Sequence, residues 1–374
     1  MRARISAALL LTLGLAVRSG AAQPPAGTPP SPAPTSAPAS QPAADLPRVR
    51  LLATGGTISN RSVQQGGRLT AQELVASIPD LNRYVRAEVE QFANTASSAI
   101  TIEQWLALTQ RINKLFKEDA GLAGIVVTSG TDTLEELAYF LDLTVRSDKP
   151  VAVVGSMRNP SEIGYEGAAN LLEGFRVAAS PAARGRGVMV VLNDEINAAR
   201  EATKTDALRL QTFQTRGYGI LGVVDDDRVV FYRKVEKRHT AQSEFDVEGM
   251  TALPRVDVIL TYQGASGDLI KAAVDQGAKG IVMATAGAGA TSGTQGEGTR
   301  YALEKGVFVV TTTRTGSGRI AARLRQPSAG GTPTPRERAI SGEDLAPVKA
   351  RILLMLALAT TQNPADIQRM FIEY

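Results

Sequence analysis

The 374-residue sequence contains no cysteine and only one histidine. Without cysteine the chain has no disulfide, no thiol nucleophile and no attachment point for a cysteine-linked lipid anchor. The single histidine, His239, follows the basic pair Lys237-Arg238, which predicts a structural or surface residue and argues against a histidine base or a two-histidine metal site. A packed core must therefore supply the stability, and the chain is long enough for roughly two domains.

Charge of one sign is not in large excess either, since 41 basic and 37 acidic residues give a net charge of +4. No block of lysines and arginines is present, so nothing predicts a nucleic-acid partner. Arg2 and Arg4, the apolar run 7–17 and small residues at 20–22 have the organisation of a secretory signal peptide spanning residues 1–22. We therefore expect a periplasmic or secreted protein whose mature form has no membrane segment.

The rest of the chain divides into three parts by composition. Residues 23–47 are rich in proline, alanine, serine and threonine and predict an extended, disordered spacer. Apolar runs then alternate with helical patterns, which predicts a larger, doubly wound α/β domain over 48–232. A polar linker, 233–252, precedes a smaller α/β domain over 253–374. The predicted buried strands are 49–54, 124–128, 150–154, 187–192, 256–262, 280–284 and 307–311.

Several local signals define where elements begin. Thr70 and Thr101 each precede a glutamate or glutamine by three residues, the spacing of a capping box. Asn363 before Pro364 predicts the start of the last helix. The short β segments around 217–231, interrupted by aspartates at 225–227, predict a hairpin.

Two short motifs join an apolar strand to a turn that contains threonine. The first, Leu51–Ile58, ends in two glycines and Thr57, and the second, Val126–Glu136, passes through Gly130 and Thr131 into a helical pattern. A threonine hydroxyl at a sharp backbone bend is exposed and surrounded by amide N–H groups, as a nucleophile requires. The two motifs therefore indicate a hydrolytic site at the carboxyl edge of a sheet.

Each motif also has a purely structural interpretation. The first could be a tight turn whose threonines satisfy their own backbone. The second could be a helix start, because Thr133 and Glu136, or Asp132 and Glu135, have the spacing of a capping box. Phosphate binding is not indicated, since neither G-x-G-x-x-G nor a Walker lysine is present.

Three further features surround these motifs. Residues 59–67, called the lid below, are polar, contain two glycines and lack periodicity, as expected of a segment that closes over a site. Lys204 could assist proton transfer from a nearby threonine if it is buried. Ser97 follows a strand and could donate to a carboxylate. Most lysines are solvated, so Lys204 alone favours an ordinary surface role, and Ser97 by itself is uninformative.

Further short runs accompany the two threonine motifs in a fixed order. They are Lys149-Pro150-Val151, Gly155-Ser156-Met157-Arg158, Asn193-Asp194, Thr203-Lys204-Thr205, Thr212-Phe213, Tyr218-Gly219-Ile220-Leu221-Gly222 and Arg238-His239-Thr240. With these runs, nearly all of residues 48–374 resembles the bacterial L-asparaginase/glutaminase family, of the periplasmic type.

The resemblance implies hydrolysis of the side-chain amide of L-asparagine, or of L-glutamine, with release of ammonia and without a metal or organic cofactor. Thr57 would be the nucleophile that forms an acyl-enzyme. Thr131 and Lys204, beside Asp132, would form the second polar group. Ser97 and Asp132 would hold the substrate's α-carboxylate and α-ammonium.

By the same resemblance, Gly56, Gly130 and Ser98 would also lie against the substrate, and the protein would be a homotetramer whose sites are completed across a subunit contact. Two other functions stay open: hydrolysis of a related small amide, and a catalytically weak ligand-binding role on the same fold. A binder would have no need for all four of Thr57, Thr131, Asp132 and Lys204, which favours an enzyme.

The sequence departs from the family pattern at positions that serve two tasks. The lid has no tyrosine to activate the nucleophile, and Ser129 replaces a histidine. Ala290 replaces an asparagine, and residues 326–334, which correspond to the loop that offers a glutamate to the neighbouring subunit's substrate, contain no acid. We therefore expect recognition of a free α-amino group to rest on Asp132.

Overall fold

A computed structural model describes residues 46–322 and 334–374. The predicted signal peptide, nearly all of the predicted spacer and the stretch 326–334 except for Thr334 lie outside the described residues. In the ranges that are described, no helix is both long and apolar enough to cross a membrane.

Most strands in the first half of the chain belong to one large sheet. The strands are β1 (Arg48–Gly55), β2 (Arg86–Thr95), β3 (Leu122–Thr128), β4 (Val151–Val154), β5 (Val188–Leu192), β6 (Glu195–Ala198), β7 (Thr203–Lys204), β8 (Phe213–Gln214), β9 (Gly222–Val224) and β10 (Val229–Phe231). Within the described residues, eight of them pair in the order β10-β9-β6-β5-β4-β3-β1-β2, and β7 and β8 form a separate ribbon. The pairs from β2 to β5 are parallel, whereas β6, β9 and β10 add antiparallel strands, including the predicted hairpin.

Helices cover both faces of this sheet, which explains why its central strands are apolar at nearly every position. The helices are α1 (Ala71–Ala76), α2 (Ile102–Glu118), α3 (Leu134–Thr144) and α4 (Gly167–Ala179). Along β3, Ile125 and Val127 face the core formed with α2 and α3, while Val126 faces the core formed with α4. This confirms the predicted α/β class with a doubly covered sheet.

A second, smaller sheet follows in the chain. It contains β11 (Val256–Leu260), β12 (Gly280–Thr285), β13 (Phe308–Thr313) and β14 (Ala339–Ser341), all parallel, with helices α5 (Asp268–Asp275), α6 (Gln295–Glu304), α7 (Pro347–Thr360) and α8 (Pro364–Glu373). Buried side chains of α7 join those of α2 and α3 in one continuous core. The larger and smaller α/β regions are as predicted, whereas the exact limits proposed for the 233–252 linker stay a prediction.

Helix starts show where the sequence signals were sufficient and where they were not. The capping boxes at Thr70 and Thr101 form, and Asn363 caps α8. The alternative interpretation of the second motif as a helix start holds, since α3 begins after Thr133, but the capping box considered with it does not form. Thr133 has φ −124° and ψ 16° rather than the extended backbone of a capping residue, while Glu135 accepts from the Lys204 amide and Glu136 lies 3.9 Å from Arg351.

Candidate functional site

The two threonine motifs meet at the carboxyl edge of the large sheet. They follow β1 and β3, which are adjacent and parallel. Gly56 has a φ of 91°, and a Cβ added there would lie 2.2 Å from the Gly130 nitrogen. Glycine is therefore required at position 56 both for the left-handed backbone and for the direct contact between the two turns.

Hydrogen bonds fix this junction and add the end of β2 to it. The Thr54 hydroxyl donates to the Thr128 carbonyl at 2.6 Å, and the Gly56 N–H donates to the Thr95 carbonyl at 2.9 Å. Gly130 in turn packs so closely on Ser97 that a Cβ there would lie 2.8 Å from the serine Oγ. Three strand ends thus converge on one point, with Ser97 buried at their junction.

A cleft with an empty volume of about 330 Å³ opens at this junction. Its lining residues are Gly56, Thr57, Asn60, Arg68, Ala96, Ser97, Gly130 and Asp132. Five of the predicted site residues are among them. Three others are not: Thr131 is buried beside the cleft, Lys204 lies behind it, and Ser98 is exposed.

Lys204 connects the two polar residues of the second motif. Its Nζ donates to Thr131 Oγ1 at 3.0 Å and to Asp132 Oδ1 at 2.8 Å. The lysine side chain is 15% exposed, whereas that of Asp132 is 76% exposed and reaches the cleft. The β7–β8 ribbon carries the lysine, and Glu135 holds its amide N–H at 3.1 Å. The arrangement gives the Thr131 hydroxyl a charged donor and leaves its own proton free to be donated.

The backbone of the second turn adds hydrogen-bond donors. In the part of the chain that the structure describes, the amide N–H groups of Thr131 and Asp132 donate to no other protein atom. They precede the N-terminus of α3, where the helix dipole favours negative charge. The turn can therefore stabilise a carboxylate or a developing oxyanion.

Backbone pairing holds the two ends of the lid together. It leaves the cleft at Asn60 and returns at Arg68, and these two residues pair in an antiparallel bridge. No tyrosine occurs within it, but Tyr165 donates its hydroxyl to the Ile58 carbonyl at 2.8 Å. Burial raises the pKa of Tyr165, so this phenol stays protonated and serves as a donor that holds the Thr57 turn.

Sequence reasoning missed Arg68, Asn60 and Ala96 as cleft residues. The sequence contains a signal for Arg68. It is a charged residue directly after the Gly66-Gly67 turn, where the chain returns from the lid to the sheet. His239 is 5% exposed and its Nδ1 lies 2.9 Å from Thr240 Oγ1, in agreement with a structural role.

Comparison with known proteins identifies two adjoining family domains. Residues 48–237 match the model for "Asparaginase, N-terminal" and residues 255–371 match the "Glutaminase/Asparaginase C-terminal domain". The two matches together cover most of the described chain.

Individual relatives agree over nearly their whole length. L-asparaginase 2 of Bacillus subtilis is 41% identical over 337 residues, which cover 88% of this chain and 87% of that protein. A probable periplasmic L-asparaginase of Haemophilus influenzae is 36% identical, covering 89% and 94%. The crystal structure of a probable cytoplasmic L-asparaginase from Campylobacter jejuni is 40% identical with a TM-score of 0.81, covering 87% and 99%. The chain therefore belongs to the asparaginase family and is an amidohydrolase that acts on linear amides.

Proposed function

We propose that this protein hydrolyses the side-chain amide of L-asparagine, or of L-glutamine, through a threonine acyl-enzyme. The observation that carries the proposal is the position of Thr57 in the cleft. The neighbouring turn holds Thr131 and Asp132, and Lys204 contacts both of them. A nucleophile at a sharp turn, a positioned proton-transfer group and free amide N–H groups are the parts that acyl transfer requires.

In this mechanism the Thr57 hydroxyl attacks the amide carbon while its proton is passed toward the leaving nitrogen. The carbon–nitrogen bond breaks, ammonia leaves, and an ester links the acyl group to Thr57. Water then adds to the ester, and the carboxylic acid and the free threonine are released. Thr131, held by Lys204, moves the proton, and Asp132 binds the substrate's ammonium group.

Five further expectations belong to this proposal. The mature protein would be periplasmic or secreted, supported by the signal-peptide pattern and by the periplasmic description of the Haemophilus relative. It would assemble as a homotetramer, and it would require no cofactor. Its domains would span 48–232 and 253–374, with Gly56, Gly130 and Ser98 beside the substrate.

Ammonia release measured on a panel of amides tests the proposal. The panel contains L-asparagine, L-glutamine and their N-acetyl derivatives, assayed with protein purified without its first 22 residues. We expect turnover of at least one free amino-acid amide and none in a Thr57→Ala preparation. Binding of these amides without any ammonia release would instead indicate a ligand-binding member of the family.

A further inference from the structure

We propose that Arg68 recognises the α-carboxylate of the substrate, together with Ser97. This inference rests on the proposed function, because it assigns a role within the same cleft. The sequence predicts that recognition of the α-amino group rests on Asp132, and the structure adds a cation to the same lining.

Charge complementarity is the first observation. Among the described residues that line the cleft, Arg68 and Asp132 are the ionisable ones. A free amino-acid amide carries one carboxylate and one ammonium at its α-carbon. A cleft lined by one guanidinium and one carboxylate therefore matches a zwitterion, whereas a neutral amide would leave the Arg68 guanidinium without an anionic partner.

The position of the guanidinium is the second observation. Arg68 Nη1 donates to the Asn94 carbonyl, three residues before Ser97. The arginine therefore lies on the side of the cleft formed by the end of β2, where Ser97 is buried. In the described part of the chain its Nε and Nη2 groups make no hydrogen bond, so planar donors remain for a carboxylate.

Preorganisation is the third observation. Arg68 is paired with Asn60 in the bridge, and its neighbour Leu69 is held on both sides: its N–H donates to the Ser59 carbonyl at 2.7 Å, and its carbonyl accepts from Asn94 Nδ2 at 3.2 Å. Because the backbone around Arg68 is fixed, binding a carboxylate costs less conformational entropy here than it would for an arginine on an unrestrained segment.

Three amides separate the two ends of the substrate. L-Asparagine has both α groups, succinamic acid has only the carboxylate, and β-alaninamide has only the ammonium. We would measure kcat and KM for each, or a competitive inhibition constant where turnover is absent, with the wild type, Arg68→Gln and Arg68→Lys.

We expect Arg68→Gln to raise KM by about tenfold or more for asparagine and succinamic acid, because a charge-assisted bond is lost. β-Alaninamide should be affected less than about twofold. Arg68→Lys should fall between, since lysine keeps the charge but not the planar donor pair.

Arg61→Gln is the matched control, because Arg61 lies in the lid, donates to the Gly67 carbonyl and to Glu73, and does not line the cleft. It should leave the ratio between the three amides unchanged. Unchanged KM for asparagine in Arg68→Gln, or an equal rise for all three amides in that variant, would overturn the assignment while the proposed hydrolysis stands.

Failure of the proposed function is recognised separately. If the wild type releases no ammonia from any amide, calorimetric titration with L-aspartate replaces kinetics. Binding that is lost in Arg68→Gln but kept in Arg61→Gln supports the carboxylate site without hydrolysis. Equal binding by all three proteins, or no binding by the wild type, rejects it.

Discussion

Lys349 Nζ lies 3.9 Å from Glu135 Oε2 in the interior, joining α7 of the smaller sheet region to α3 of the larger one. The lysine is 1% exposed and donates to the carbonyls of Ala199, Arg200 and Ala202. Ala202 is followed directly by the ribbon that carries Lys204, and Glu135 also accepts from the Lys204 amide at 3.1 Å. A single buried ammonium thus supports the backbone behind the proposed proton-transfer group.

Lys349→Met should destabilise the protein by about 3–5 kcal/mol, because it leaves three interior carbonyls without their donor and the Glu135 carboxylate without its neighbouring cation. The measurement is the free energy of unfolding in urea. Lys114→Met is the control, since Lys114 forms an exposed pair with Glu118 on α2 and should change stability by less than about 1 kcal/mol. Equal stability of the two variants would contradict the role assigned to Lys349.

The contrast between Lys349 and the strands shows what the sequence can predict. Strands such as β3 are continuous apolar runs between turn residues, so their existence follows from local pattern. A lysine on a mostly apolar helix gives no local sign that it is buried, because its partners lie roughly 150 residues away in the chain. The short strands β6 to β8 were not predicted for another reason: each has only two to four residues, too few to show a clear alternation, although β6 and β8 each pair with the strand that precedes them in the chain.

The site divides in the same way. The position of both threonine turns at the carboxyl edge of the sheet was predictable, because glycines that allow a tight turn and threonine hydroxyls directly follow an apolar strand in each motif. The capping box considered at Thr133 does not form, because the backbone of Thr133 is not in the extended conformation of a capping residue, which the sequence does not show. The position of Arg68 in the cleft was missed because it depends on the fold of the lid, which brings the arginine beside the end of β2.

Thr57→Ala should lower kcat for the best amide by at least about a thousandfold. Among the described residues that line the cleft, the other hydroxyl belongs to the buried Ser97, so no exposed hydroxyl can replace that of Thr57. Stability in urea should change by less than about 1 kcal/mol, since Thr57 is only partly buried. Thr133→Ala is the control: its side chain makes no capping bond, and activity should persist. Full activity of Thr57→Ala with normal stability would remove Thr57 from the mechanism.

Lys204→Met should lower kcat by about a hundredfold or more while changing KM much less, because the lysine contacts Thr131 and Asp132 from behind the cleft rather than lining it. Steady-state kinetics on the same amide separates the two constants. Lys271→Met, a change at an exposed lysine on α5, provides the comparison. If kcat were unchanged, Lys204 would be an ordinary structural lysine.

Glu173 gives the protein a stability that depends on pH. It is 7% exposed on α4, and its Oε2 accepts from the Asp194 N–H at 3.1 Å in the tight turn between β5 and β6. Burial, with the facing Asp194 carboxylate, raises the pKa of Glu173 to about 8. In the unfolded chain the pKa is about 4.3.

Between these two values the native state binds more protons than the unfolded state, so stability falls as pH rises from about 4.5 to about 8. Glu173→Gln keeps the shape and an acceptor for the Asp194 N–H but cannot ionise. We therefore expect the variant to match the wild type at pH 4 and to exceed it by about 1 kcal/mol or more at pH 9, measured by urea unfolding. Glu195→Gln, on the adjoining strand, should show the wild-type pH dependence. If the unfolding free energies of the wild type and of Glu173→Gln changed with pH in parallel, the pKa of Glu173 would be the same in the folded and the unfolded protein.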